Sequence, residues 1–466
     1  MSDFIILMKS ELVVTTIIFL LLFVKIGKGM RNEKLLPLIQ VLLLINVLFS
    51  FVFNKEGSLF DGMFSTTSLI AFQKSILSLA VYLISLLCSV WLKRSEHLPE
   101  FFMLMLSALL GMFFMISSGN LLIFYLSLEL STIPVAAMAN FDLQKRASSE
   151  GAMKMILSSA FSSGILLFGI SLIYGTTGTI LFSEIPGQLD GSPIQILAFV
   201  FLFTAFAFKL SVVPFHLWTA DVYEGAPIAT TSFLSVVSKG AVAFIFITAL
   251  YKVFQPLEET WYLMLVILSI ATMVIGNLFA LRQKNIKRFL AFSSIAQVGF
   301  ILVGISAGNE IGISSVVFFI LVYVFSNLAA FGVADVISAA SGKESIDDYK
   351  GLYKTNPLLS WIMTLALFSL AGIPPTAGFF GKLFLISAGA AKANYIYIII
   401  VALNMIVSLY YYLIVVRAIF IDKNEQPIDK IAISKTVKLA LIICGAGIIL
   451  LGLLSWIYEH IQSLTV

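Results

Sequence analysis

Long apolar runs recur along this chain, and they constrain its fold more than any other feature. A transmembrane helix needs about 20 consecutive, mainly apolar residues. Runs of that length lie at residues 5–25, 35–53, 67–92, 101–117, 119–141, 152–175, 194–218, 226–254, 261–281, 286–308, 312–340, 358–391, 394–421 and 435–459. They predict an all-α polytopic membrane protein with about fourteen transmembrane helices, which we number in chain order.

Composition excludes the other broad classes of protein. With 60% hydrophobic and 12% charged residues, the chain has too little charge to cover a soluble domain of its size. The alternating ten-residue patterns of transmembrane β-strands are few. Cys88 and Cys444 lie inside apolar runs, which favours small buried side chains over a disulfide or a metal site. No basic block indicates nucleic-acid binding, and the first run, which lacks a cleavage signature, is predicted to be a retained helix.

Charge in the connections predicts the orientation. The odd-numbered connections carry 21 Lys and Arg residues, four of them (Lys25, Lys28, Arg31 and Lys34) in the first connection. The even-numbered connections carry three. Because positive loop charge stays in the cytoplasm, both chain termini are predicted to lie on the outer, periplasmic side of the membrane.

The predicted helices fall into two blocks of five. Helices 4–8 and helices 9–13 each have an interruption at their fourth member, at Pro214 in helix 7 and at Gly372 and Pro374-Pro375 in helix 12. We therefore expect helix 12 to form two half-helices. Because five is odd, the second block enters the membrane from the opposite side, which is the plan of inverted-repeat transporters. The predicted divisions are three N-terminal helices (1–100), the two repeats (101–254 and 261–421) and a C-terminal helix (435–466).

The most unusual stretch is 208–227, FKLSVVPFHLWTADVYEGAP. It places Lys209, Pro214 and His216 in a run that is otherwise apolar. Pro214 cannot donate to the carbonyl of Leu210, so the helix is expected to loosen there. In a regular helix Lys209 and His216 would lie two turns apart on one face. The residues from Asp221 to Glu224 are predicted to form an acidic turn that caps helix 8.

Four charged residues lie well inside predicted helices: Glu129 in helix 5, Lys209 in helix 7, Lys239 in helix 8 and Lys382 in helix 12. Charges in the bilayer interior are costly and are usually functional. A carboxylate near Lys209 would keep it protonated, and moving that carboxylate away would favour proton release. We therefore predict a proton path along these four residues, with His216 as a possible relay. The structural alternatives are a carboxyl held by serines, a lysine at a helix end and a partner for a lipid phosphate.

Several motifs resemble one known family. The segment 208–239 resembles subunit N (subunit 2) of type I NADH:quinone oxidoreductase, respiratory complex I, and its DVYEGAP sequence is similar to that subunit in particular. NIKRFLAFSSIAQVGF at 285–300, SLAGIPPTAGFFGK at 369–382 and LSLELSTIP at 126–134 agree with the same family. Mrp-type antiporter subunits share the K-x-x-x-x-P-x-H-x-W pattern but usually differ after the tryptophan.

The resemblance implies roles for these residues. Glu129 and Lys209 would form the family's charge pair, Lys239 would be the central proton carrier and Lys382 the outward-facing one. Many relatives have a histidine in helix 10 where this chain has Gln297, which cannot carry a charge.

The resemblance also implies the setting. The chain would be a non-redox subunit of an enzyme complex in the bacterial plasma membrane, beside antiporter-like and small membrane subunits. It would hold no cofactor, and NADH, FMN, iron–sulfur clusters and quinone would bind to partner subunits. Two other readings stay open: an Mrp-type cation/proton antiporter subunit, and a scaffold whose ionisable groups only hold the bundle together.

Overall fold

The computed structural model describes residues 2–27, 29–52 and 55–465. Lys28 in the first connection and the end of the run 35–53 lie outside these residues. The α-helices are α1 (Ser2–Leu7), α2 (Lys9–Ile26), α3 (Asn32–Ser50), α4 (Ser68–Leu87), α5 (Ser89–Arg94), α6 (Leu98–Ile116), α7 (Leu121–Ala139), α8 (Arg146–Thr177), α9 (Pro193–Leu210), α10 (Leu217–Gly225), α11 (Ile228–Ser232), α12 (Lys239–Thr248), α13 (Glu258–Leu281), α14 (Ile286–Ile305), α15 (Glu310–Ser341), α16 (Leu352–Thr355), α17 (Pro357–Ala371), α18 (Ala377–Ala390), α19 (Tyr395–Phe420), α20 (Lys435–Leu453) and α21 (Trp456–Ser463).

Shorter elements complete the chain. Strands β1 (Gly57–Leu59) and β2 (Phe64–Thr66) form a two-stranded antiparallel hairpin that the sequence did not predict. Turns of 3-10 helix lie at Ile185–Gln188, Gln255–Leu257 and Ile346–Tyr349, and π-helical segments at Phe233–Ser238 and Ala249–Val253.

The predicted all-α membrane architecture is confirmed. Twelve helical segments in the described part of the chain are long and apolar enough to cross a membrane. Two further segments match predicted runs: α2, which includes Lys9, Glu11 and Lys25, and the shorter pair α17 and α18. The exact number of crossings and the inverted repeat stay predictions.

The break between predicted helices 4 and 5 is confirmed. Asn120 caps α7 by accepting a hydrogen bond from the Ile123 amide (2.7 Å). The Gly119 amide donates to Met63 in the hairpin loop (2.8 Å), and a Cβ at Gly119 would lie 1.8 Å from the Gly62 carbonyl oxygen. Only glycine allows this close approach of two backbones.

Predicted helix 7 is interrupted more severely than the sequence indicates. α9 ends at Leu210, Ser211 takes a left-handed φ of 65°, and the Val213–Pro214 peptide bond is cis. Lys209 and His216 are therefore not on one face of a regular helix. The prediction of an acidic turn at Asp221–Glu224 is wrong, because these residues lie within α10. A new helix can begin after Pro214, since the missing proline amide only matters inside a helix.

Predicted helix 12 is two helices, as expected. α17 ends at Ala371, Gly372 follows with φ +85°, and the Pro374–Pro375 peptide bond is cis. α18 then begins at Ala377. The run 435–459 is also divided, since α20 ends at Leu453 and α21 begins at Trp456; the prediction of one continuous helix there is wrong.

The chain forms two compact units. The first comprises Met1–Ser85, Trp91–Leu210 and Gly225–Leu263, and the second Leu86–Val90, Ser211–Glu224 and Met264–Val466. In the first unit α6 packs on α7 and α8 on α9. In the second unit the apolar helix α15 is buried along its span and packs against α14, α17, α18, α20 and α21.

Candidate functional site

Glu129 lies in the middle of α7 and is half-buried. Its Oε1 accepts a hydrogen bond from the Ser163 hydroxyl of α8, the next helix in the first unit. The nearby Ser131 instead donates to the Leu128 carbonyl (2.7 Å). The carboxylate therefore receives its support from a neighbouring helix and not from the serines beside it in sequence.

Lys209 lies in the last turn of α9, where its ammonium donates to the Thr132 hydroxyl of α7. Thr132 follows Glu129 by three residues, so the two side chains lie one turn apart on one helix face. Lys209 and Glu129, both described by the structure, form no direct ion pair. The predicted charge pair is therefore not in direct contact, and Lys209 bonds instead to a hydroxyl one turn from Glu129. The last turn of a helix carries partial negative charge, which also favours an ammonium there.

Lys239 is the first residue of α12 and follows the π-helical segment Phe233–Ser238 directly. Such π-turns often occur at functional sites, and hydrophobic periodicity does not reveal them. α12 packs on α9 through Phe246, whose ring centroid lies 4.8 Å from that of Phe206. The helices that bear Lys209 and Lys239 are therefore direct neighbours in the first unit.

Lys382 lies on α18, and its ammonium turns back to the end of α17. Its Nζ donates to the carbonyl of Ala371 (3.3 Å), the last residue of α17, and lies 4.5 Å from the centroid of the Phe300 ring. Attraction between a cation and a ring face partly offsets the loss of hydration. A Cβ at Gly372 would lie 3.2 Å from Cδ of Lys382, so the glycine leaves room for the lysine stem.

Burial separates these lysines from ordinary surface lysines. Lys209, Lys239 and Lys382 are 8%, 2% and 1% exposed, respectively. A lysine is almost never fully buried unless it is paired. Burying three of them inside apolar helices is therefore costly, and their predicted role in proton transfer stays a prediction.

Gln297 braces the end of α17 from α14. Its Nε2 donates to the Leu370 carbonyl (2.9 Å) and to the Tyr412 hydroxyl (3.1 Å). The Tyr412 hydroxyl also bonds to Ser293 (2.5 Å). The amide therefore holds the backbone next to the Ala371 carbonyl that receives Lys382. Sequence reasoning missed Tyr412, although the polar Tyr410–Tyr412 run inside an apolar helix was a signal.

His216 is buried and lies between the broken segment and α10, where its carbonyl accepts from the Thr219 amide (3.1 Å). It belongs to the second unit with Lys382 and Gln297, whereas Glu129, Lys209 and Lys239 belong to the first. The structure places Lys209 at Thr132, one helical turn from Glu129. The roles of all five candidates stay predictions.

Sequence reasoning also missed a buried ion pair outside the candidate path. Lys74 of α4 contacts Glu11 of α2 (2.6 Å), and both side chains are 2% exposed. Lys9 caps α3 by donating to the carbonyl of Ser50 (3.3 Å). Charged residues near the ends of apolar runs were the available signal. Among the described residues, no group of three or more His, Cys, Asp or Glu side chains could hold a metal ion.

Comparison with known proteins identifies the family. Residues 118–408 match the family described as NADH:quinone oxidoreductase/Mrp antiporter, transmembrane. That span contains Glu129, Lys209, Lys239 and Lys382.

The NADH-quinone oxidoreductase subunit N of Phocaeicola vulgatus is 47% identical over 98% of both chains. Among solved structures, a chain of respiratory complex I from Thermus thermophilus matches with a TM-score of 0.83 at 27% identity, covering 96% of this chain and 97% of that one. A chain of the Mrp complex from Dietzia shares the fold with a TM-score of 0.88 at 20% identity, covering 98% and 96%. This chain therefore belongs to the NADH-quinone oxidoreductase subunit N family of antiporter-like membrane proteins.

Proposed function

We propose that this chain carries protons across the membrane as a subunit of an NADH-quinone oxidoreductase. Electron transfer from NADH to quinone takes place in partner subunits, and this chain contributes a path of buried ionisable side chains without a redox group of its own. The other membrane subunits of the complex are its partners. The setting is the bacterial plasma membrane, with both termini outside, as the loop charges predict.

One observation carries the proposal. Three buried lysines and a half-buried glutamate lie inside apolar helices, and Lys209 is held at Thr132, one turn from Glu129. A bundle that needed only packing would place apolar side chains there, since they carry no desolvation cost. The arrangement suits groups that must change protonation state.

Glu129 and Lys209 form the end of the path that responds to charge. While the carboxylate is ionised and near, it favours the protonated lysine. When a partner subunit changes the charge near Glu129, Lys209 releases its proton toward Lys239 on the neighbouring helix. Buried waters carry the proton between side chains that do not touch, and Lys382 releases it outward.

The proposal is tested by proton pumping in inverted membrane vesicles that carry Lys239→Met, with NADH oxidation measured in the same sample. Methionine keeps most of the side-chain volume and removes the charge. We expect pumping and the coupled electron transfer to fall at least about tenfold, equivalent to about 1.4 kcal/mol in the barrier. Wild-type pumping by an assembled Lys239→Met complex would contradict the proposal.

The same span offers a matched control in Lys252. It is exposed and lies in the π-helical segment near the end of the span, so Lys252→Met removes an equal charge outside the buried path. We expect it to pump as the wild type does. If Lys239→Met lost assembly while Lys252→Met did not, a scaffold role for the buried lysine would be favoured.

Purification distinguishes the proposed function from the alternative of an Mrp-type antiporter subunit. A complex I subunit co-purifies with many partner subunits and with NADH dehydrogenase activity. An antiporter subunit would exchange ions without that activity.

A further inference from the structure

The NIKR sequence and the acidic residues of α10 lie outside the proposed proton path and contact each other in the second unit. Arg288, from the NIKR sequence at the start of α14, contacts both acidic residues of α10. Its Nη1 lies 2.8 Å from Asp221 Oδ1 and 2.7 Å from Glu224 Oε2. All three side chains are about one-third exposed. One guanidinium nitrogen thus lies between two carboxylates that would otherwise repel each other on one face of α10.

The position of Arg288 is unfavourable for its own helix. It lies in the first turn of α14, where the Asn285 side chain accepts from the Lys287 and Arg288 amides. A cation near a helix N-terminus is disfavoured by the helix dipole. The contacts of Arg288 with α10 offset this cost, so its location serves an interaction outside α14.

The neighbouring Lys287 makes a different contact. Its ammonium binds Glu344, in the connection after α15, at 2.5 Å. Two adjacent basic residues therefore tie the same helix start to two separate segments. This division of partners shows that the Arg288 contact is specific to α10 and is not a general property of a basic helix end.

Further bonds connect α10 to the broken segment before it, and that segment to α13. The Thr219 hydroxyl of α10 bonds to the hydroxyl of Ser211 (2.6 Å), which is the first residue of the break. The Val213 amide donates to the Thr272 hydroxyl of α13 (3.1 Å). A short helix of nine residues is marginal by itself, so these side-chain contacts and Arg288 hold it in place.

We propose that Arg288 is a positioning residue for proton transfer, which clamps α10 through Asp221 and Glu224 and thereby fixes the broken segment and His216. This inference rests on the proposed function. Arg288 moves no proton itself, and it acts by limiting the motion of residues 211–224.

The test uses the assembled complex with Arg288→Gln, and with Asp221→Asn and Glu224→Gln combined. Arg417→Gln is the matched control, because Arg417 forms an exposed pair with Asp422 (3.0 Å) at the end of α19 and holds no broken segment. Arg288→Lys keeps a cation that can reach one or both carboxylates. It is the conservative variant and should restore part of any loss.

Two measurements are made on each variant. The first is hydrogen–deuterium exchange of the amides in residues 217–224. We expect Arg288→Gln to accelerate it about threefold to tenfold, as for the loss of two partly exposed charge-assisted contacts. The second is the number of protons pumped per electron, which should fall. Arg417→Gln should change neither quantity.

Each outcome decides the inference. Faster exchange with a lower proton yield, partly restored by Arg288→Lys, supports it. Unchanged exchange overturns it, and so does faster exchange with a wild-type yield. If Arg288→Gln fails to assemble, Glu224→Gln, which removes one of the two contacts, is measured and judged in the same way.

Lys239→Met in the same vesicles separates this inference from the proposed function. Wild-type pumping by Lys239→Met would contradict the proposed function, while the exchange data would still decide whether Arg288 clamps α10.

Discussion

Each of the two broken helices carries a buried lysine, and the two lysines contact different partners. At the first break, Lys209 lies in the last turn of α9 and reaches Thr132, next to Glu129. At the second break, Lys382 comes from the half-helix after the break and reaches back to the Ala371 carbonyl at the end of α17. Lys209 thus lies in the last turn of its helix, and the Lys382 ammonium lies at the last carbonyl of α17, so both residues are near the partially negative end of a helix. A helix end lowers the cost of a buried cation in each case.

The difference lies in the counter-charge. Lys209 has a carboxylate one turn from its hydroxyl partner, whereas Lys382 contacts a neutral carbonyl and the Phe300 ring and forms no ion pair with the residues that the structure describes. We therefore expect a charge change near Glu129 to act on Lys209 electrostatically, without a direct contact. Lys382 has no such nearby carboxylate in the described ranges of the chain, so we expect it to respond less to a change of charge on a carboxylate.

The largest expected effect is a difference in stability between variants of the two lysines. Lys209→Met leaves the Glu129 carboxylate without its nearby cation, which should cost about 2–3 kcal/mol of stability. Lys382→Met leaves no carboxylate behind and should be neutral or stabilising. The midpoint of thermal unfolding of each purified complex measures the difference. The double variant Glu129→Gln with Lys209→Met should recover most of the loss, and equal losses for the two lysines would contradict the comparison.

The second break depends on Gly372. Gly372→Ala should cost about 2 kcal/mol, because alanine disfavours φ +85° and its Cβ would press on the stem of Lys382. Gly178→Ala is the control: its φ is +72°, but no atom lies within 4 Å of the added Cβ. It should cost about 1 kcal/mol. The same unfolding assay would contradict this account if the two alanines cost the same.

Gln297 is expected to stabilise the second break. Gln297→Leu removes the donor to the Leu370 carbonyl and to Tyr412, at a cost of about 1–2 kcal/mol. Gln283→Leu removes a more exposed amide that bonds the Phe279 carbonyl (3.0 Å), and should change stability by less than about 0.5 kcal/mol. Proton pumping should fall only in Gln297→Leu. Unchanged pumping and stability would show that the bonds of Gln297 to Leu370 and Tyr412 are dispensable.

The smallest effect concerns the connection after α15 in the second unit. Burial of the Glu344 carboxyl opposes its ionisation, but bonds from Lys287, Ser338 and Asn285 outweigh burial and lower its pKa below 4.5. A lowered folded-state pKa gives stability that is present above the unfolded value and is lost as pH falls through the folded value. We expect less than about 1 kcal/mol, lost below pH of about 4.5.

The pH dependence of the thermal midpoint between pH of about 6 and about 3.5 checks this prediction. Glu344→Gln should flatten the acid limb of that curve. Glu150→Gln, which removes an exposed pair with Lys154 in the first unit, should leave the curve as in the wild type. An acid limb that survives in Glu344→Gln would assign it to other carboxylates.

Much of the site could be read from residue type alone. A charge inside an apolar run is visible in the sequence, so Glu129, Lys209, Lys239 and Lys382 were found without coordinates. Arg288 was not, since a basic residue at a helix end is ordinary and its partners lie 64 and 67 positions away. The π-helical turn before Lys239 was also hidden, because an extra residue in one turn leaves an all-apolar pattern unchanged.

The sequence by itself determined the membrane class, most of the helix positions and the places of both breaks, because bilayer thickness and proline chemistry act on a few adjacent residues. Tertiary structure decided which atoms the charged groups meet: Thr132 for Lys209, the Ala371 carbonyl for Lys382, and the two carboxylates of α10 for Arg288. The contacts of Lys209 and Arg288 join residues far apart in the chain, and the contact of Lys382 crosses the break between two helices. They depend on how helices pack, which local pattern does not encode.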